Sequence, residues 1–343
     1  MEFSKVVITT ELRRPPSFER DIQHIEYRED PLTHVPCRIN MGRASRPKQT
    51  PAGGHWEAPT GGEDDCPFCP GNIERATPVF ASSFCPDKRI RKGECYLFPN
   101  LYPLAEYHAT GTLTVRHALD LGQFQADMVQ DSLMAAREYL LWVHKRCGES
   151  KYPIYVWNHL PPSAASVVHP HVQVLVDRRP TPYQQRLLQS SKEYLLGTGR
   201  DYWQDIVEEE RRREERYIGR RGSVVAIASY APQGNREVQM IFSETSNLMD
   251  LGEGEAADFA DCVVRVLRGY KRMGMNSFNL STFSAPLGEK LGHYRLHAKL
   301  ISRPVCQPFY RNDSGVLERF HYEADIEIRP ETFAQGMREL FAG

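Results

Sequence analysis

From about residue 94 onward, apolar positions alternate between strand-like and helix-like periods, and the series runs twice. Residues 94–98 read as a strand leading into Pro99-Asn100, and 110–116 as a second strand. Residues 121–146 carry helical spacing through Phe124, Met128, Leu133 and Leu140. Strands at 152–158 and 169–177 follow. The second series has strands at 223–230 and 239–242, then a helix over 255–273 on Phe259, Val263, Val266, Leu267 and Tyr270. Strands at 277–282 and 294–302 close it. Corresponding elements lie roughly 125 residues apart, which points to an internal duplication. The expected fold class is α+β, with antiparallel sheets and segregated flanking helices.

Flanking segments read differently. Residues 1–65 look irregular, and 38–65 are rich in Gly, Pro, Arg and Thr, as in an arm or loop. Residues 66–200 and 201–343 are the expected halves. Between the repeats, 208–221 carries five acids and six bases and reads as a solvated helix laced with i,i+4 pairs.

Composition narrows the function classes. The 343 residues are 41% hydrophobic, enough for a sizeable core. Lys and Arg total 43 and Asp and Glu 44, a formal charge of −1, so no global field draws the chain to nucleic acid or anionic membrane. No apolar run approaches a membrane span, and the first 20 residues lack a secretory apolar region. A cytoplasmic setting with reduced cysteines is expected. Neither a G-x-G-x-x-G before a helix nor a P-loop occurs.

Two clusters carry chemistry. Of eight cysteines only Cys66 and Cys69 are close, as C-x2-C, a spacing that suggests metal first and redox second. Structural zinc needs four ligands, and His117 at one strand end with His169 at another strand start would complete a Cys2His2 set. The second cluster is in the segment 166–176. Val172, Val174 and Val176 fall on one face, and His169, His171 and Gln173 on the other. With His169 on metal, His171 is free to attack phosphorus, its second nitrogen held by a backbone carbonyl. Gln173 can donate its amide to a phosphate oxygen.

The segment His169-Pro170-His171-Val172-Gln173 resembles the H-x-H-x-Q motif of the transferase branch of the histidine-triad superfamily, the galactose-1-phosphate uridylyltransferase family. Further segments resemble that family in the same order: Asp30-Pro31-Leu32-Thr33, Arg43-Ala44-Ser45-Arg46-Pro47, the Cys66–Asn72 turn, Phe98-Pro99-Asn100, Asn158, the strand from His293 to Ala298, Arg319-Phe320 and Tyr322-Glu323. The resemblance implies two fused histidine-triad-like halves. It implies His171 as nucleophile with Gln173, and zinc on Cys66, Cys69, His117 and His169. It implies substrate contacts from Arg43, Arg46, Asn100, Asn158, Ser166, Arg319, Tyr322 and Glu323. It also implies a homodimer with shared sites acting on a nucleotide-sugar and a sugar 1-phosphate.

The resemblance implies UMP transfer between a UDP-sugar and a hexose 1-phosphate. ADP-sugar phosphorolysis and an inactive zinc-stabilised nucleotide binder are the alternatives. Two departures stand out. The family's second metal site has lost ligands, with Lys299 in place of a histidine beyond His297, and no second metal is expected. The family's glycine-rich loop is here Pro161-Pro162-Ser163-Ala164-Ala165-Ser166, which restricts backbone approach to phosphate. Lys299 reads equally as a sugar-phosphate ligand or as a snorkelling surface lysine.

Overall fold

The computed structural model describes residues 2–45, 62–307 and 312–342. In chain order the strands are β1 (Lys5–Arg14), β2 (Glu19–Glu29), β3 (Pro36–Ile39), β4 (Ile90–Lys92), β5 (Cys95–Pro99), β6 (Tyr107–Thr112), β7 (Tyr152–His159), β8 (His171–Asp177), β9 (Tyr217–Arg221), β10 (Val224–Ala228), β11 (Val238–Phe242), β12 (Phe278–Phe283), β13 (His297–Ser302) and β14 (Ala324–Ile326). The α-helices are α1 (Ile73–Ala76), α2 (Ala126–Arg146), α3 (Pro182–Thr198), α4 (Tyr202–Arg213), α5 (Glu253–Arg272) and α6 (Pro330–Ala342).

Both repeats enter one antiparallel ten-stranded sheet, in the order β4-β5-β6-β8-β7-β12-β13-β11-β10-β9. The first repeat runs β5-β6-β8-β7, and the second runs the same series mirrored, so the two meet where β7 pairs with β12. At this seam Trp157 lies opposite Leu280 and is fully buried, its ring 4.8 Å from Phe124 and 4.9 Å from Phe278.

Period-two alternation gives the sheet two chemically distinct faces. Val172, Val174 and Val176 join Val224, Ala226, Met240 and Ala298 in the main core. Helices α2 and α5 pack there through Val129, Leu133, Leu140, Phe259, Val263 and Leu267. Both helices set acids in the first turn and bases in the last, as the helix dipole favours. The opposite face differs between halves. In the second half α3 and α4 cover it, with Leu187, Trp203 and Ile206 against Val225, Ile227 and Ile241. In the first half that face carries His171 and Gln173.

Several boundaries differ from the sequence reading. The helix expected from residue 121 starts at Ala126, after a turn over 121–123. The strand expected at 110–116 runs Tyr107–Thr112. Pro170 lacks an N–H, so β8 starts at His171 and His169 sits before it. The arm is not irregular over the described residues. Here β1 and β2 form a hairpin, and with β3 and β14 they make a separate sheet ordered β1-β2-β3-β14. Arg46 and the rest of 46–61 lie outside the described residues.

The charged run over 208–221 is not one solvated helix. Helix α4 stops when Glu214 takes a left-handed φ of 56°, and the chain turns into β9. Glu210 and Arg216 are buried and paired at 2.8 Å. Arg216 also meets Glu331, which pairs with Arg28 at 2.8 Å, so one ionic network ties the arm, α4 and α6 together.

Among the described residues no helix is long and apolar enough to cross a membrane.

Candidate active site

The Cys2His2 quartet is assembled from three segments. In the turn before α1, Asn72 donates its side-chain amide to the carbonyls of Asp64 at 2.7 Å and Cys66 at 2.9 Å, which closes the C-x2-C loop. The donor atoms of Cys66, Cys69, His117 and His169 all lie within 4.8 Å of one another. Cys69 Sγ is 3.4 Å from His117 Nδ1 and 3.6 Å from His169 Nδ1, and Cys66 Sγ is 3.9 Å from His169 Nδ1. A tetrahedral ion with bonds of roughly 2.0–2.3 Å sets its ligands about 3.5 Å apart, so the quartet fits a metal ion. The tautomer fits too. His169 Nε2–H donates to the Thr114 carbonyl at 2.8 Å, which leaves Nδ1 as the ligating nitrogen. Burial drives the His169 imidazole down to about 4, so the ring is neutral. Burial and the neighbouring Cys66 push the Cys69 thiol up to about 12, so a cation is what would make it a thiolate.

His171 stands two residues beyond His169. Its Nδ1–H donates to the His169 carbonyl at 2.8 Å, and the neutral ring therefore carries its lone pair on Nε2. Burial lowers the ring's proton affinity. Phe68, from the C-x2-C turn, sets its ring 5.3 Å from the His171 ring and 5.6 Å from Phe98. The C-x2-C turn thus walls one side of the imidazole.

The rest of this face comes from strand register. Thr112 pairs with His171, Thr110 with Gln173, and Val156 of β7 with Gln173 from the other side. Asn100 donates to Thr110 Oγ1 at 2.9 Å. Asn158, two residues past Val156, accepts from Asn279 of the second repeat at 2.6 Å. Asn279 also holds the following loop by donating to the Ser163 carbonyl at 2.9 Å. In that loop Leu160 and Ala164 both have φ of 69°, so conformations that favour glycine are taken by other residues. Ser166 ends the loop, exposed.

Four expected substrate contacts sit elsewhere in the chain. Glu323 makes two bonds to Arg38 of β3, at 2.6 and 2.9 Å, and Arg43 pairs with Asp325 of β14 at 2.5 Å. Arg319 and Tyr322 are exposed in the turn leading to β14. These four belong with the arm sheet, whereas His171 and Gln173 belong to the ten-stranded sheet.

The second repeat reproduces the backbone hydrogen bond of His171 without its surroundings. His297 Nδ1–H donates to the Arg295 carbonyl at 3.0 Å. Trp203 covers the ring at 4.2 Å, and Lys299, at the position of Gln173, is buried and paired with Glu237 at 3.0 Å. Lys299 is therefore neither a surface lysine nor a free cation. Gln184 donates to the Ser284 carbonyl and the Tyr294 hydroxyl, closing this side further.

Sequence reasoning missed Phe68, Asn279 and His108, whose Nε2 is 2.8 Å from Gln173 Oε1. His108, Thr110 and Thr112 alternate along β6, a polar stripe that could have flagged the face.

Comparison with solved structures places this architecture. An ADP-glucose phosphorylase from Arabidopsis thaliana, solved with ADP-glucose bound, superposes with a TM-score of 0.73 at 18% identity, covering 92% of this chain and 99% of that one. A uridylyltransferase structure gives 0.69 at 20% identity, covering 92% and 98%. The fold is that of the galactose-1-phosphate uridylyltransferase-like proteins. A galactose-1-phosphate uridylyltransferase-like protein from Arabidopsis thaliana agrees, at a TM-score of 0.70 and 17% identity over 92% of this chain and 98% of that one. In sequence, the chain is 30% identical to an uncharacterized protein of Archaeoglobus fulgidus over 100% of its own length and 99% of the relative's, and the two belong to one family. No protein-family model matches the chain.

Proposed function

We propose that this uridylyltransferase-like protein is a nucleotidyltransferase that moves UMP between a UDP-sugar and a hexose 1-phosphate through a nucleotidyl-His171 intermediate. One observation carries the reading. The His169 carbonyl accepts a hydrogen bond from Nδ1–H of His171, which leaves Nε2 bare on the face that also holds Gln173. In the first half-reaction Nε2 attacks the α-phosphorus. The N–P bond forms, the P–O bond to the sugar phosphate breaks, and the sugar 1-phosphate leaves with that electron pair. A second sugar 1-phosphate then reverses the sequence. The Gln173 amide binds a non-bridging oxygen in both steps.

Zinc is the ion this reading places on Cys66, Cys69, His117 and His169, where it fixes the turn that carries Phe68 and takes no part in bond making. Arg43, Arg46, Arg319, Tyr322 and Glu323 then serve a site completed by a second copy of the chain, while Asn100, Asn158 and Ser166 serve their own. The setting is cytoplasmic.

Intact-mass spectrometry at neutral pH tests the reading, with UDP-glucose and ADP-glucose incubated separately. A uridylyl adduct on the wild type and none on His171→Ala is expected. An adenylyl adduct would instead assign adenylyl transfer with the same nucleophile. No adduct from either nucleotide would overturn the reading and leave an inactive nucleotide binder.

A further inference from the structure

Gln173 can serve a phosphate only if its amide is presented one way round. The NH2 must face the nucleotide, and the carbonyl oxygen must face the protein. A glutamine on an open strand has no intrinsic preference between the two, and a flipped amide would set its oxygen against phosphate oxygens.

The neighbouring strand supplies the missing constraint. His108 pairs with Leu175 in the β6–β8 register, two residues along from Gln173 and on the same face. Its Nδ1 is 3.0 Å from the backbone N–H of Leu104, and its Nε2 is 2.8 Å from Gln173 Oε1. A backbone N–H can only donate, so Nδ1 must be bare. A neutral imidazole with bare Nδ1 carries its proton on Nε2, and that proton points at Gln173. Turning the Gln173 amide over would bring an NH2 against an N–H. The ring is 5% exposed, and burial lowers its proton affinity, so the neutral form persists.

We propose that His108 is a positioning residue: Leu104 N–H sets its tautomer, and its Nε2–H holds Gln173 Oε1 so that the glutamine NH2 faces the transferred phosphoryl group. The role rests on the nucleotidyl-transfer reading above. It assigns His108 no contact with substrate and no proton to move.

Single-turnover formation of nucleotidyl-His171 tests it, followed by quenched mass spectrometry with whichever nucleotide labels the wild type. His108→Phe keeps a flat ring but removes the donor, and is expected to slow the step by about ten- to a hundredfold with little change in KM. His108→Gln sets an amide NH2 near the imidazole Nε2 position and should recover most of that loss. On a Gln173→Ala background, His108→Phe should cost less than about twofold, because the amide it orients is gone. Selective 15N labelling of histidine should show His108 protonated on Nε2.

Wild-type speed in His108→Phe, or a loss that carries over in full onto Gln173→Ala, would overturn the positioning role while leaving the nucleophile intact. An Nδ1-protonated His108 would overturn it whatever the activity. Absence of any adduct on the wild type would remove the nucleotidyl-transfer reading and this role together.

Discussion

Phe68 and His171 meet edge to face, with ring centroids 5.3 Å apart and planes 64° to one another. Phe68 is the second of the two residues between Cys66 and Cys69, so the C-x2-C turn and His171 share a wall. Two variants should separate these functions. Cys69→Ser should release the metal, seen as a fall from about one zinc per chain by elemental analysis, and should abolish adduct formation. Phe68→Ala should retain the metal and slow the adduct step by about tenfold. Full adduct formation in metal-free Cys69→Ser would show that the loop does not support the site.

Ala164 occupies a left-handed turn conformation, φ 69° and ψ 21°. Its side chain costs roughly 1 kcal/mol there relative to glycine. Ala164→Gly should therefore raise the melting temperature slightly, and Ala164→Val should lower it, by calorimetry. The reverse order would mean that the turn is not held as described.

Lys299 and Glu237 form a buried pair where the first repeat has Gln173 and His108. Lys299→Met alone strands the carboxylate and should cost about 3–5 kcal/mol by urea denaturation. Adding Glu237→Gln should restore most of that loss. A Lys299→Met protein of unchanged stability but lost turnover would instead make Lys299 a substrate ligand.

The carboxyl of Glu331 gives stability a pH dependence. Burial pushes it up, but Arg28 and Arg216 outweigh burial and hold it at about 2. A carboxyl held below its ordinary value of 4.5 stabilises the fold above that value. The contribution fades as pH falls from about 5 towards 2. Glu331→Gln should thus lose on the order of 2–3 kcal/mol at pH 7, and the gap to wild type should narrow on acidification. A gap that stays constant between pH 7 and pH 3 would contradict this account.

Much of the site was legible because strand period is strict. Alternation along 171–176 separates His171 and Gln173 from the valines whatever the surroundings, and the structure keeps that separation. The structure likewise gathers His117 and His169, expected at strand ends, around the C-x2-C turn. What was lost depends on long-range partners. The β1–β2 hairpin crosses Pro15-Pro16, its first strand is exposed throughout, and the buried positions of its second are the charged Glu26 and Arg28, so no apolar face marks it. Residues 208–221 have the charge pattern of a solvated helix. Only the fold reveals that Glu210 and Arg216 face inward and pair, with Arg216 reaching Glu331, which Arg28 also holds. His108 carries no local motif, and its meaning comes from Gln173 on the next strand.

The seam between β7 and β12 sets a limit on how this protein can be divided. Each repeat ends its share of the sheet on a long inner strand whose only lateral neighbour beyond its own repeat is the other half. A half cut free would expose that strand as a raw edge beside an uncovered indole, ready to recruit any extended chain. The junction therefore works like the interface of a two-subunit ancestor written into one polypeptide, and within it the second half's His297 has become packing beneath Trp203.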